Sequence, residues 1–363
     1  SADLASLRPQ VDRLCVTVSL DVQADGRVAS ASFAPSIIHS AARLSYEEAQ
    51  AILKAGAGAL SAELGAMADC ADRLRQQRMG RGALDMDIAE ATVTVDSQGE
   101  PLSVLPRARL AVHRLIEEFM LAANQAVAQE LTRRKTPFLY RIHERPDAET
   151  IARLAGRLSL LGLRVDREGA EREPRVLQKV LTRAKGRRSE RAVALMVLRS
   201  LERARYSASQ AVHFGLASQC YTHFTSPIRR YPDLVVHRAL ASAMGWRQDW
   251  TEDRGRLEDC AEHCSRRERR AAEAERDLTR AAAIILLAGR VGQVFSGTVS
   301  SVERFGYFVE LEEVLCEGFV PVGRLDEYYD HFPERMELRS RTSGDVIAIG
   351  ERVKVRLTAA ELA

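Results

Sequence analysis

The sequence predicts an α+β chain of more than one domain, with β-hairpins and long helices through residue 288 and a small β-barrel over 289–363. Three observations carry that prediction. The length, 363 residues, exceeds that of one ordinary domain. Near Gly289 the pattern changes from helical spacing in an Ala- and charge-rich stretch to short apolar runs broken by Gly and charged turns. Turn residues, Asp25-Gly26 and Asp96-Ser97-Gln98-Gly99, separate alternating runs that read as paired strands. A composition of 46% hydrophobic and 28% charged residues fits a globular fold.

The elements follow in order. Val11 to Val22 carries Val16, Val18, Leu20 and Val22 in alternation, and Val28 to Ile38 is the return strand of a hairpin. Helical spacing runs from Tyr46 to Leu60 and from Glu63 to Arg81. Asp85 to Val95 alternates again and opens a second hairpin. A long helix is predicted over Ala108 to Thr132, then a short strand from Phe138 to His143. Pro146-Asp147 opens a helix with proline near its first turn. Further helices are predicted over Ser189 to Arg203, Pro232 to Met244 and Glu252 to Leu287. In the last of these, the Arg266 to Arg270 charge run reads as a solvated face. The strands of the second domain are Val291 to Val302, Tyr307 to Leu311, Gly318 to Val322 and Val346 to Leu357.

Several classes are disfavoured. No run of 18 apolar residues exists, and the most apolar stretch, Ala281 to Ala288, is too short to span a bilayer. Ser1-Ala2-Asp3-Leu4 has no signal-peptide pattern and no initiator Met, so the chain reads as cut from something longer. A net charge of +3 names no partner by itself. Lysine stands only at Lys54, Lys135, Lys179, Lys185 and Lys354 among 53 basic residues; the arginine excess suits phosphate contacts but also fits a GC-rich genome. The six cysteines form no Cys-x-x-Cys pair. Cys260, His263 and Cys264 lie close in a helical stretch, but a zinc site needs four ligands and no second half-site appears. Reduced thiols and a cytoplasmic location are the expectation.

The most informative stretch runs Tyr221-Thr222-His223-Phe224-Thr225-Ser226-Pro227-Ile228-Arg229-Arg230-Tyr231-Pro232-Asp233-Leu234-Val235-Val236-His237-Arg238. Ser226 can cap and Pro227 can start one helical turn, and Pro232 starts the next helix. Arg229 and Arg230 precede a helix N-terminus, where free N–H groups and a partial positive charge favour phosphate. Together they offer a fork for an anion, and Thr225, Ser226 and Tyr231 add hydroxyls. Upstream, His113, Glu117, Met120 and Asn124 share one helix face. A carboxylate there can accept from a ribose 2′-hydroxyl, the group that separates RNA from DNA.

This stretch closely resembles the signature near the end of the RNB catalytic domain of the RNase II/RNase R exoribonucleases. Further segments agree in order and spacing. They are Ser6 to Cys15, His113 to Asn124, Tyr140 to Asp147, and Val212 to Ala217, with Val212 where the family often has Gly. The resemblance covers essentially the whole chain and is closer to the RNase R branch. It implies a processive 3′-to-5′ exoribonuclease that acts on single-stranded RNA and releases nucleoside 5′-monophosphates. On that resemblance Arg229 assists the chemistry. Glu117, then Glu118, contacts the 3′-terminal nucleotide. Thr225, Ser226, Arg230, Tyr231, His143, Arg141, His223 and Asn124 contact RNA.

The last domain resembles an S1-type OB fold, from Gly297-Thr298-Val299 and Arg304-Phe305-Gly306-Tyr307-Phe308-Val309. Phe305 and Phe308 are expected to stack on single-stranded bases. Where the family often has His after Gly-Leu-Val, Gly318-Phe319-Val320 is followed by Pro321. The final strand is expected to be incomplete at Ala363.

The family also implies Mg²⁺, held by an aspartate cluster that precedes the segments matched here. This sequence shows no such cluster. Asp69 and Asp72 lie on a helix among arginines, and Asp85 and Asp87 share one strand face. The expectation is therefore no metal ligand in this chain and an upstream polypeptide as partner. The chain alone should bind RNA and hydrolyse it poorly or not at all. A non-catalytic RNA-binding relative is the alternative.

Overall fold

The computed structural model of the chain describes residues 5–86, 90–107, 109–248, 250, 253–333 and 335–361. Strands β1 (Asp12–Val22) and β2 (Val28–His39) form the predicted first hairpin, with Val18 opposite Phe33 and Leu14 opposite Ile37. Its turn depends on Gly26, whose φ is +81° and where a Cβ would stand 2.1 Å from the Arg73 carbonyl oxygen. One face of the ribbon packs Val16, Val18 and Phe33 onto the core. Leu14 (86% exposed) and Ile37 (67%) continue that face into solvent. Among the described residues no third strand joins β1 and β2.

The helix expected from Tyr46 to Leu60 is shorter. Helix α1 (Tyr46–Ala55) begins at a capping box between Ser45 and Glu48 and stops at Gly56, which is left-handed at φ +63°. Helix α2 is Ser61–Gly80. Pairing in the second hairpin, β3 (Ala91–Val95) with β4 (Pro101–Pro106), begins six residues after Asp85. Helix α3 (Ala111–Arg133) follows. Gln50 of α1 accepts from the N–H groups of Ala111 and Val112 at its start.

Strand β5 (Tyr140–Ile142) is only the centre of the predicted run. Helix α4 (Ala148–Leu160) is capped by Asp147, whose carboxylate accepts from Thr150 N, so Pro146 precedes the cap rather than entering the first turn. Helices α5 (Arg167–Arg172) and α6 (Pro174–Ala184) were not expected. Helix α7 (Glu190–Ser200) ends before Arg203. Strand β6 (Arg205–Ser207) pairs with β5. Helix α8 (Tyr231–Ala243) has Pro232 as its second residue. Helix α9 spans Arg254–Ala288; the predicted start at Glu252 lies outside the described residues.

The remaining strands are β7 (Val294–Glu303), β8 (Gly306–Leu311), β9 (Glu317–Pro321), β10 (Tyr329–Phe332), β11 (Glu337–Ser340), β12 (Val346–Ala348) and β13 (Arg352–Arg356). They form an antiparallel sheet in the order β13-β7-β8-β9 and a second one in the order β10-β11-β12. The run predicted as one strand from Val346 to Leu357 breaks at Gly350, which has φ +84°.

The chain is a mixed α/β protein of two compact units. One gathers Ser1–Leu84, Arg109–Arg145 and Glu202–Arg267; the other gathers Asp85–Ala108, Pro146–Leu201 and Glu268–Ala363. The first unit's core joins Val127 and Leu131 of α3, Phe138 to Ile142 around β5, and Val236 and Leu240 of α8. Burying a side chain of this size contributes about 1.5–3 kcal/mol, so this core fixes α3 against α8 and the strand between them. The second unit's core is Phe295, Val299, Val309 and Leu338, closed by Ala283 and Leu287 of α9 and Val104 of β4.

Candidate nucleic-acid interface

Asn124 builds the centre of the first unit's site. It sits on α3, is 3% exposed, and its Oδ1 accepts from the backbone N–H groups of Phe224 (2.9 Å) and Thr225 (3.2 Å). Its Nδ2 donates to the Tyr221 hydroxyl at 3.0 Å. The expectation that Asn124 touches RNA is therefore corrected: the amide is turned inward and pins residues 221–225. Thr222 anchors the same segment through a hydroxyl donated to Leu139 O.

The turn beyond it is closed by Arg229 N and Arg230 N, both donating to Ser226 O. Arg229 is exposed and its side chain has no hydrogen bond or ion pair among the described residues. Arg230 faces inward. Its Nη2 lies 2.7 Å from Oδ1 of Asp233, a fully buried carboxylate that also accepts from Ser226 N at 2.8 Å. The expected two-arginine fork for one anion is thus divided, because a carboxylate of the same chain already holds one prong. Thr225 Oγ1 is buried and without a partner among the described residues, and Tyr231 is exposed.

Beside the loop runs a series of edge-to-face rings. His143 meets His213, His213 meets Tyr221, Tyr221 meets His223, and His223 meets Tyr206, with centroids 5.2 to 5.9 Å apart. Arg141 closes the series, its guanidinium 4.7 Å from the Tyr206 ring centre. His143 Nδ1 accepts from Gly215 N at 2.9 Å, and a Cβ on residue 215 would stand 2.9 Å from that nitrogen, so a side chain there would have to displace the imidazole. Burial first, then the charge of Arg230 and Arg141, holds His223 down at about 2. Burial first, then His143 and Arg141, holds His213 at about 3. Burial also lowers His143. At neutral pH these imidazoles are uncharged, so His143 and His223 bring no positive charge to a phosphate. The cations gathered around His223 are Arg141, Arg229 and Arg230.

The two glutamates of α3 diverge. Glu118 is buried, and its oxygens accept from Arg78 Nε (3.1 Å) and Nη2 (2.5 Å) of α2. That bidentate pair leaves it closed to a ribose, a correction to its expected role. Glu117 is part-exposed and meets Arg109 at 2.8 Å. On the same face Met120 is exposed, while His113 accepts from Leu110 N and rests on Tyr46.

In the second unit Phe305 is exposed, and Phe308 of β8 is part-exposed. Phe319 of β9, which sequence reasoning passed over, stands opposite Phe308 in the strand register and joins both rings, with centroids 5.5 and 5.1 Å away. Three adjacent aromatic faces make a stacking surface.

Among the described residues no three His, Cys, Asp or Glu side chains come together as a metal would need. Asp233 is already engaged, Asp69 and Asp72 lie on α2, and Asp87 lies outside the described residues. Cys260 and Cys264 stand with sulfurs 4.0 Å apart and, among the described residues, belong to no such group. Among the described residues no helix is long and apolar enough to cross a membrane.

A polar loop pinned between two helices, followed by a small β unit with exposed aromatics, defines the class. The chain belongs to the RNB family: the RNB domain matches residues 1–245 and the S1 RNA binding domain matches residues 290–362. Its relatives include Ribonuclease R of Aquifex aeolicus, 40% identical across 99% of this chain and 52% of that protein. Ribonuclease R of Thermotoga maritima is 38% identical over the same shares. The solved structure of Mycoplasma genitalium RNase R in complex with ribose methylated single-stranded RNA superimposes with a TM-score of 0.87 at 28% identity, covering 98% of this chain and 57% of that one. The chain thus spans about half the length of the curated relatives it matches.

Proposed function

We propose that the chain is the RNA-gripping portion of a processive 3′-to-5′ exoribonuclease that acts on single-stranded RNA in the cytoplasm and releases nucleoside 5′-monophosphates. The observation that carries this reading is Arg229. It is exposed and unpaired among the described residues, on a loop that Asn124 and Asp233 fix from two helices. A guanidinium so placed meets a backbone phosphate and stabilises charge that develops on it. Glu117 is the carboxylate placed to accept from a ribose hydroxyl, Ser226 and Tyr231 flank the phosphate, and Phe305 and Phe308, with Phe319 beside them, stack on bases. Support comes from the M. genitalium relative, whose structure holds single-stranded RNA. In this reading residues 1–288 are the catalytic-domain portion and 289–363 the S1 module. The divalent ions, Mg²⁺ by the resemblance, are held by a further polypeptide stretch.

Binding of matched oligoribonucleotides and oligodeoxyribonucleotides, read by fluorescence anisotropy, tests this. The RNA is expected to bind more tightly. Arg229→Ala should weaken RNA binding by roughly 10-fold, the loss of one charge-assisted contact. Glu117→Ala should narrow the gap between RNA and DNA. Equal affinities for the two oligonucleotides in the unaltered chain, or an Arg229→Ala variant that binds as the parent does, would refute the proposal. Incubated alone with RNA and Mg²⁺, the chain should release little or no mononucleotide.

A further inference from the structure

We propose that Asp233 is a positioning residue that withdraws Arg230 from the ligand and leaves Arg229 as the loop's phosphate-facing guanidinium. The inference rests on the reading that this loop faces RNA, and it explains why two adjacent arginines are not equivalent.

Asp233 is the third residue of α8 and is fully buried. Its Oδ1 ties the two ends of the turn together, accepting from Ser226 N at one end and from the Arg230 guanidinium at the other. The Arg230 side chain is 19% exposed, whereas Arg229, one residue before it, points to solvent without a partner among the described residues. A carboxylate in the first turn also sits at the positive end of the helix, where an incoming phosphate would otherwise be favoured. Asp233 therefore occupies both the helix terminus and one of the two cations.

The pair is poorly built for stability. It has one prong, and both Arg230 Nε and Asp233 Oδ2 are buried without a hydrogen-bond partner among the described residues. Unsatisfied buried polar atoms are unfavourable, and a forked Arg–carboxylate pair would hold the fold better. What this arrangement does secure is geometry. The Ser226 to Arg230 turn is held at both ends, so the Arg229 side chain leaves it in one direction.

The salt dependence of binding reads how many cations meet phosphates, a quantity that loop stability alone does not move. For single strands the slope of log K against log salt changes by about 0.7 for each such cation. The unaltered chain and three variants are titrated with a single-stranded oligoribonucleotide across a range of salt. Arg229→Met should flatten the slope by about 0.7. Asp233→Asn, which keeps an oxygen for Ser226 N but drops the charge, should release Arg230 and steepen the slope by up to about 0.7. The double variant Arg230→Met with Asp233→Asn removes the pair without leaving a buried charge alone, so it stays informative if Asp233→Asn does not fold. Its slope should match that of the unaltered chain. A double variant as flat as Arg229→Met, or an Asp233→Asn slope that does not change, would overturn the assignment while leaving the RNA reading intact. An unchanged slope in Arg229→Met would overturn the RNA reading itself.

Discussion

Replacing Asn124 with leucine should destabilise the first unit by roughly 3–5 kcal/mol, because two buried groups and one part-buried group lose their partner at once. The N–H groups of Phe224 and Thr225 and the hydroxyl of Tyr221 all meet this one amide. No water can replace it without opening the contact between α3 and the loop, since Phe224 and Tyr221 are themselves buried. Both tryptophans of the chain, Trp246 and Trp250, pack against this unit's core, so urea unfolding followed by their fluorescence reports the event directly. Asn124→Asp keeps an acceptor for the two backbone N–H groups and a site to which Tyr221 can donate, and should recover part of the loss. A leucine variant within 1 kcal/mol of the parent, on the order of one ordinary hydrogen bond, would show that the loop is held by something else.

Acid should unfold the same unit. His213 and His223 have folded-state values of about 3 and about 2, well below the ordinary histidine value, and the largest cause for each is burial. The sign follows from proton counting. As pH falls through about 6.5 the unfolded chain takes up protons at these sites and the folded chain does not, so stability is retained above about pH 6.5 and declines below it. Each histidine contributes a slope of up to about 1.4 kcal/mol per pH unit, so the two together remove on the order of 2 kcal/mol by pH 5.5. Glu130, held at about 2 by Arg133 and Arg134, extends the decline below its ordinary value. Urea midpoints from tryptophan fluorescence should fall steadily between pH 7 and pH 5, and His223→Leu should flatten the profile. A level profile in the unaltered chain would mean that the imidazoles are open to water.

Much of this could be read from the residues. Asp25-Gly26 located the first hairpin because those residues suit a tight reversal between alternating runs; the structure adds that a Cβ at Gly26 would meet the Arg73 carbonyl. The helical period located α3, and the run from Tyr221 to Arg238 identified the loop. What escaped was decided by partners distant in sequence. Glu117 and Glu118 are neighbours in the chain, and it is Arg78, forty residues earlier, that holds Glu118 in the interior, while Glu117 meets Arg109 and stays part-exposed. Phe319 joins the aromatic face through strand register with Phe308, which no local pattern states. Asn124 has the right spacing for a ligand-facing residue, but a polar side chain on a helix serves equally well to hold a loop. The pairing of Asp233 with Arg230, three residues before it at the helix start, was not read from the sequence, which put both arginines on one anion. Helix α6, with Leu177, Val180 and Ala184 on one face, was not read from the sequence, although it is as long as α7, which was.

The ribbon of β1 and β2 carries a physical consequence of its own. Its two strands hydrogen-bond to each other, and among the described residues no further strand pairs with the outer flank of either. Leu14 and Ile37 add an oily tip to the same structure. Such a flank accepts any extended peptide of compatible shape. Colloidal behaviour of the isolated chain should therefore be governed by this ribbon: at high concentration copies would stack flank to flank, and a short extended peptide added in excess would keep them apart.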